Sequence, residues 1–353
     1  METIYQKVRE QKRISPDEFL RLYHNASLPE LGSLAHGIRM AKHPESVVTF
    51  VVDRNINYTN ICTCQCRFCA FYAKEGDEKG YVLSRDAFAQ KIEETLELGG
   101  TQILLQGGMN PALDMAWYEE LLLWITENFS IHVHGFSPPE IAWLAEANGL
   151  SLNETITRLH DAGLKSIPGG GAEILVDSVR QRVSPNKCGT EAWLEVMRQA
   201  HLLGMRSTAT MMFGHVETPD EMAEHLLRIR DLQDETGGFT AFIPWTFQPT
   251  HTKLEAQGLS SDAYLRVLAL SRIFLDNVEN IQASWVTQGE KVAQVALFFG
   301  ANDMGSTMIE ENVVAAAGVD HMLPKEELVR VVKGAGFAPV QRDCFYNPIK
   351  DVA

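Results

Sequence analysis

Cys62-Thr63-Cys64-Gln65-Cys66-Arg67-Phe68-Cys69 packs four thiols into eight residues, directly after the first extended run of the chain. Cys62, Cys66 and Cys69 stand in a C-x3-C-x2-C arrangement. Three thiolates on one tight loop can hold three irons of a [4Fe–4S] cluster and leave the fourth iron open to a small molecule. An open metal position marks chemistry rather than scaffolding, as it does for zinc. On spacing alone, a zinc knuckle or incidental thiols are the alternatives. A structural zinc site draws on two ligand pairs separated by a longer loop. Here Cys188 and Cys344 are distant and unpaired. Cys64 reads as a bystander that could substitute as a ligand.

Outward from this loop the chain becomes regular. Residues 47–52 form a β-branched run, a strand by composition, and 55–58 stay extended and deliver the chain to the cysteines. Behind the loop, strands are expected at 101–106, 131–134, 165–167, 206–213, 239–247, 282–286 and, weakly, 303–308. Helices are expected at 84–98, 115–128, 138–147, 152–162, 191–203, 219–235, 261–276, 290–299 and 325–335, several stopped by glycine. Residues 1–45 read as an N-terminal helical extension with a cap at Ser15-Pro16-Asp17-Glu18, and 46–353 as one barrel domain. Eight strands alternating with helices imply parallel α/β units, and eight such units close into a (β/α)8 TIM-type barrel. An open sheet with an extra C-terminal layer is the runner-up. Either way, function belongs at the C-terminal ends of the strands.

The bulk numbers narrow the class. A chain of 353 residues, 45% hydrophobic and 22% charged, has the composition expected of a soluble globular protein. No apolar run approaches the roughly 20 residues of a membrane span. Met1 to Arg13 is charged and lacks an apolar signal core, and the cysteine usage fits a reducing compartment, so a cytoplasmic protein is expected. A net charge of −15 argues against nucleic acid, which needs a basic face, and leaves a small-molecule substrate.

Unusual residues gather just after the strands. Gly107-Gly108 lets backbone approach a ligand closely, or makes a plain turn. In Pro168-Gly169-Gly170-Gly171-Ala172-Glu173, the carboxylate could accept ribose hydroxyls or sit at a helix N-terminus. Arg180, Arg182 and Lys187 follow in a loop or short helix, where one could pair with a carboxylate. His215 and Glu217 could move protons near neutral pH, or cap the helix behind Thr218-Pro219. His132 and His134 share one strand face, with His134 closer to the barrel mouth. Trp245 and Phe247 share another, where rings could stack on an aromatic substrate or fill the core.

Five phrases carry a resemblance: Gln106-Gly-Gly-Met-Asn-Pro111, Ile131-His-Val-His-Gly-Phe-Ser-Pro-Pro-Glu140, Ile167-Pro-Gly-Gly-Gly-Ala-Glu-Ile174, Ala209-Thr-Met-Met-Phe-Gly-His-Val-Glu217 and Asp231 to Pro249 with its Phe-Ile-Pro-Trp. With the cysteine loop they resemble the radical S-adenosylmethionine (SAM) family, and within it the dehypoxanthine futalosine cyclases of the futalosine route to menaquinone. The resemblance runs from about Thr49 to Gly318. It implies a [4Fe–4S] cluster on Cys62, Cys66 and Cys69, with S-adenosyl-L-methionine on the open iron and Phe68 against its adenine. Gly107, Gly108, Glu173 and Arg182 are then expected at the cofactor, although Met109 stands where the family carries an acid. His215, Glu217 and His134 are the expected catalytic groups. The implied reaction removes the C4′ hydrogen of dehypoxanthine futalosine with a 5′-deoxyadenosyl radical. The carbon radical then adds to the benzoate ring, and loss of one electron and one proton restores aromaticity. A low-potential electron donor such as flavodoxin or ferredoxin is the implied partner. Trp245 in the Phe-Ile-Pro-Trp phrase points to the cyclase rather than to aminofutalosine synthase. A structural Fe–S or zinc protein, and a SAM-dependent methyltransferase, are the readings from other classes.

Overall fold

The computed structural model describes residues 1–319 and 321–349. Three helices come first: α1 (Glu2–Arg9), α2 (Pro16–Asn25) and α3 (Leu28–Lys42). Ser15 accepts from the Glu18 N–H while the Glu18 carboxylate accepts from the Ser15 N–H, and Ser27 and Glu30 repeat the exchange. Each pair satisfies donors that a helix start leaves orphaned, and the proline in the first turn of each, Pro16 and Pro29, has no N–H to lose. These helices lie on the outside of the molecule's core, α2 against α10 (Pro219–Thr236) and α3 against α11 (Ser261–Phe274).

The strands are β1 (Val47–Val51), β2 (Asp53–Asn57), β3 (Gln102–Gln106), β4 (His132–Gly135), β5 (Ser166–Ile167), β6 (Arg206–Phe213), β7 (Phe239–Thr246), β8 (Asn280–Ile281), β9 (Asp303–Ser306) and β10 (Ala338–Gln341). β2 to β8 form one curled sheet in sequence order, parallel throughout. The helices between them are α4 (Arg85–Glu97), α5 (Met115–Asn128), α6 (Pro138–Ala147), α7 (Leu152–Ala162), α8 (Asp177–Val183), α9 (Thr190–Leu202), α10 and α11; α12 (Trp285–Gln288), α13 (Glu290–Ala296) and α14 (Lys325–Gly334) follow. The ring closes through β9. Gln282 bridges Asp303 on one side, and on the other Thr307 N–H bonds Val51 O, Ile309 N–H bonds Asp53 O and Asn55 N–H bonds Glu310 O. This is an eight-fold α/β ring, counting β1 and β2 as one strand.

That strand divides at Val52. β1 turns away to pair with β9 and β10, so a three-stranded parallel sheet, β10-β1-β9, stands beside the main one. β10 was absent from the sequence expectation because Ala338-Pro339-Val340-Gln341 has neither length nor alternation. The seventh strand also differs: β8 is Asn280–Ile281, and Trp285–Gln288 is helical. The apolar Ala283-Ser284-Trp285-Val286 run has strand composition, but the Ser284 N–H bonds the Tyr264 hydroxyl at 2.7 Å and the Trp285 indole bonds Ser306 O at 2.9 Å, which turns the chain out of the sheet. No helix among the described residues is long and apolar enough to cross a membrane.

Candidate active site

Alternation along the strands builds the interior. Gln102, Leu104 and Gln106 of β3, Thr208 and Thr210 of β6, and Ile243 and Trp245 of β7 are every second residue, and all line one cavity of about 280 Å³. Gly169 and Gly170 border it at the strand C-termini; Asp53, Arg342 and Cys344 border it at the opposite end. The cavity therefore runs along the barrel axis.

The cysteine loop sits over the strand C-termini and is pinned from several elements. Cys62 N–H bonds Ala73 O, Thr63 N–H bonds Met109 O, Arg67 N–H bonds Val183 O and Lys253 N–H bonds Arg67 O. Gln65 takes a positive φ of 47°, a costly backbone state held where a loop must present its neighbours in a set direction. Gly108 allows the loop to approach β3: a Cβ there would lie 2.2 Å from Ile61 O and 2.9 Å from Cys62 Cβ. At Gly107 it would strike the Tyr58 ring at 2.6 Å. The two glycines thus serve the close packing of the cysteine loop.

Cys64 and Cys66 are buried with Met109, and Cys62, Phe68 and Cys69 pack on them. The Cys64 thiol lies 2.9 Å from Met109 Sδ and 3.2 Å from Asn186 O, turned toward protein. Its hydrogen bond to Cys62 holds that thiol down to about 6 and raises its own. Burial pushes Cys66 up to about 12 and raises Cys69. Three thiols on one loop with a cation beside them fit a [4Fe–4S] cluster, since bound iron charges thiols that burial alone keeps neutral. Among the described residues no three side chains sit close enough to cage a single ion; a cube of four irons needs its thiolates farther apart than one ion does.

That cation is Lys187. Burial works to lower its pKa, but Cys66 and Glu173 outweigh it, and the ammonium is held charged. Its Nζ lies 2.9 Å from Glu173 Oε1 and 5.0 Å from the Phe68 ring centroid. Glu173, at φ 43°, also faces Arg180 at 3.4 Å. The carboxylate expected to hold a ribose is therefore already engaged by two cations.

Arg182 needs correction as a cofactor contact. Its side chain is half exposed, donates to Ser178 O and lies 3.5 Å from Glu221. Residues two apart on a helix point to opposite sides, so in α8 Arg180 takes the inner position and donates to the Gly171, Ala172 and Cys188 carbonyls. His215 and Glu217 also differ from expectation. Burial lowers His215, whose Nε2 donates to Met212 O at 2.9 Å while Nδ1 accepts from the Val216 N–H at 2.8 Å. Glu217 accepts from the Gly214 and His215 N–H groups. Both line a separate cavity of about 310 Å³ with Tyr23 and Leu259. With both His215 ring nitrogens bonded to backbone and Glu217 accepting two backbone N–H groups, the pair holds a loop, apart from the axial cavity. His134 is placed otherwise: it lines the axial cavity and bonds Ser166 Oγ through Nδ1. Trp245 lines the cavity as well, whereas Phe247 is buried and packs its ring near His215.

The triple glycine has a packing cause. A Cβ on Gly169 would lie 2.7 Å from Ala209 Cα, and one on Gly171 would lie 2.4 Å from Pro139. Glu140 was not expected at the site. Visible in sequence only as the cap partner of Ser137, it also accepts from Gly107 N–H at 2.9 Å and Tyr58 OH at 2.8 Å, and so fixes the turn beneath the cysteine loop.

Residues 56–229 match the Radical SAM superfamily profile, and 236–353 match the CofH/MqnC C-terminal region. The cyclic dehypoxanthine futalosine synthase of Halalkalibacterium halodurans is 46% identical over 341 residues, 96% of this chain and 92% of that protein. The 5-amino-6-(D-ribitylamino)uracil--L-tyrosine 4-hydroxyphenyl transferase of Methanocaldococcus jannaschii is 40% identical over 354 residues, 97% of this chain and 98% of that protein. Among solved structures, methylornithine synthase aligns with a TM-score of 0.74 over 95% of this chain and 97% of its own, at 18% identity, a likeness of fold.

Proposed function

The chain belongs to the radical SAM family, and on that premise we propose that it converts dehypoxanthine futalosine to its cyclic form in menaquinone biosynthesis. The observation that carries this reading is the 46% identity to the Halalkalibacterium halodurans cyclase along nearly the whole of both chains. Cleavage of SAM at a reduced cluster on Cys62, Cys66 and Cys69 would supply the 5′-deoxyadenosyl radical that removal of the C4′ hydrogen requires. The chain's own residues do the rest. Lys187 offers positive charge beside the thiols, where a carboxylate or an anionic cluster gains from it. Gln106 of β3 and Thr208 and Thr210 of β6 bring polar atoms to the cavity, suited to ribose hydroxyls, and Trp245 offers a flat face for a benzoate ring. The axial cavity, closed below by Arg342 and Tyr346, keeps water from a reactive carbon. A low-potential donor such as flavodoxin or ferredoxin is the proposed partner.

A second reading follows from the 40% identity to the archaeal transferase, in which a tyrosine fragment joins a ribitylaminouracil. Anaerobic reconstitution with SAM, dithionite and either substrate set, followed by mass spectrometry, separates the two. The cyclase reading expects a product two hydrogens lighter than dehypoxanthine futalosine. A uracil product carrying the tyrosine-derived 4-hydroxyphenyl group, with dehypoxanthine futalosine untouched, would replace it.

A further inference from the structure

β4 and β5 pair with His134 opposite Ser166, and His132 lies two residues earlier on the same face. Ser166 Oγ is 2.7 Å from His134 Nδ1 and 2.7 Å from His132 Nε2. A hydroxyl has one proton and two lone pairs, so Ser166 can donate to one ring while accepting from the other, or donate to Cys344 Sγ at 3.2 Å and accept from both. Whenever Ser166 donates to a ring the two rings hold opposite roles, and those two arrangements differ by moving protons one place along the row. His134 lines the axial cavity, and its Nε2 has no hydrogen-bond partner among the described residues. His132 is half-buried at the N-terminal end of β4, packed edge-on against Phe345. The row thus runs from the cavity to the barrel end farthest from the cysteine loop.

We infer that His134, Ser166 and His132 form a proton outlet, which carries away the proton that the substrate loses when its ring regains aromaticity. The inference rests on the cyclase reading. In the receiving arrangement, His134 Nδ1–H donates to Ser166 and Ser166 donates to His132 Nε2, while the His132 proton sits on Nδ1. A proton taken from substrate by His134 Nε2 sends the Nδ1 proton to Ser166, the Ser166 proton to His132, and the His132 Nδ1 proton to solvent. One proton enters, one leaves and no electron moves. After product leaves, the reverse shift, exchanging with water at both ends, restores the receiving arrangement.

The surroundings favour passage over storage. Burial, with His132 and the Arg342 guanidinium, pushes His134 down to about 3, so the ring does not keep a second proton. Burial pushes His132 down to about 4, with Asp343 working to raise it and Lys165 to lower it. The Cys344 thiol, 3.2 Å from Ser166 Oγ, is pushed up to about 11 by burial and stays protonated. The exit is also distinct from the mouth, where water must be kept from the radical.

The test uses the reconstituted full-length enzyme with substrate deuterated at C4′. Ser166→Ala should still pass deuterium into 5′-deoxyadenosine but should form about a hundredfold less cyclised product per deoxyadenosine, the low side of what a positioned proton acceptor contributes. His132→Gln, which can bond Ser166 but cannot pass a proton on, should behave alike. Ser166→Thr keeps the hydroxyl and should restore product. Unchanged product per deoxyadenosine in both Ser166→Ala and His132→Gln overturns the outlet while the cyclase reading stands. So does a loss of deuterium transfer in step with product, which marks general disruption. A wild-type chain that forms no product two hydrogens lighter overturns the cyclase reading and the outlet with it.

Discussion

At the mouth of the barrel, Lys187 and Arg180 both face the single carboxylate of Glu173. At the closed end, Arg342 pairs with Asp303 through bonds of 2.6 and 3.0 Å, Thr49 and the Gly305 N–H complete that carboxylate's partners, and a second buried carboxylate, Asp53, stands nearby. Two cations to one carboxylate leaves positive charge unspent beside the thiols; one cation to two buried carboxylates leaves none. A buried charge without a partner is expensive. Its persistence at the mouth is understandable if an anionic ligand completes it there, whereas the closed end is balanced by protein alone. The contrast separates residues that prepare chemistry from residues that hold the barrel shut.

The largest effect should come from the thiols. Cys62→Ala, Cys66→Ala and Cys69→Ala should each abolish the broad visible absorption of the reconstituted cluster, while Cys64→Ala, whose thiol turns toward Met109 and Asn186, should keep it. Loss in Cys64→Ala with retention in one of the other three would redraw the ligand set. At the closed end the expected loss is stability. Arg342→Ala strands the Asp303 carboxylate and should cost about 3–5 kcal/mol in denaturant unfolding, and a change within about 0.5 kcal/mol would mean that the pair is not what shuts the barrel. Lys187→Gln should weaken SAM binding by about 1.5–3 kcal/mol, roughly tenfold to a hundredfold, with the melting temperature nearly kept. Intact SAM affinity would remove the assigned use of the surplus charge.

The most gradual effect concerns pH. Burial pushes His132 and His201 down to about 4 and His134 and His225 down to about 3. Their unfolded values lie near 6.5, so between those limits the unfolded chain binds more protons and stability falls with falling pH. The contribution is fully present above about 6.5 and is lost down through 4 to 3, at up to about 1.4 kcal/mol per pH unit for each histidine. Denaturant midpoints between pH 7.5 and 5 should fall, and a flat profile would show these rings to be hydrated.

Periodicity carried most of the fold because it reports which face is buried. Met115–Asn128, Pro138–Ala147 and Leu152–Ala162 are helices over the expected spans. The parting of β1 from β2 at Val52 left no such trace: β2, Asp53-Arg54-Asn55-Ile56-Asn57, is buried although mostly polar, so its composition did not mark it as a second strand. At the site, the cysteine spacing and the glycine turn were legible because each demands a residue type. Side-chain bonding was not. His134 and His215 look alike as strand-end histidines, yet one keeps a nitrogen open to the cavity and the other spends both on backbone. Arg180 and Arg182 look alike on paper, and only the helix phase of α8 decides which is buried.

The most direct test of the account is the fate of the C4′ hydrogen. With substrate deuterated at C4′, the reconstituted enzyme should pass that deuterium into 5′-deoxyadenosine. SAM should be consumed one for one with a cyclised product that lacks it. Deoxyadenosine without label beside unchanged substrate, or a product that retains the C4′ deuterium, would contradict the cyclase assignment.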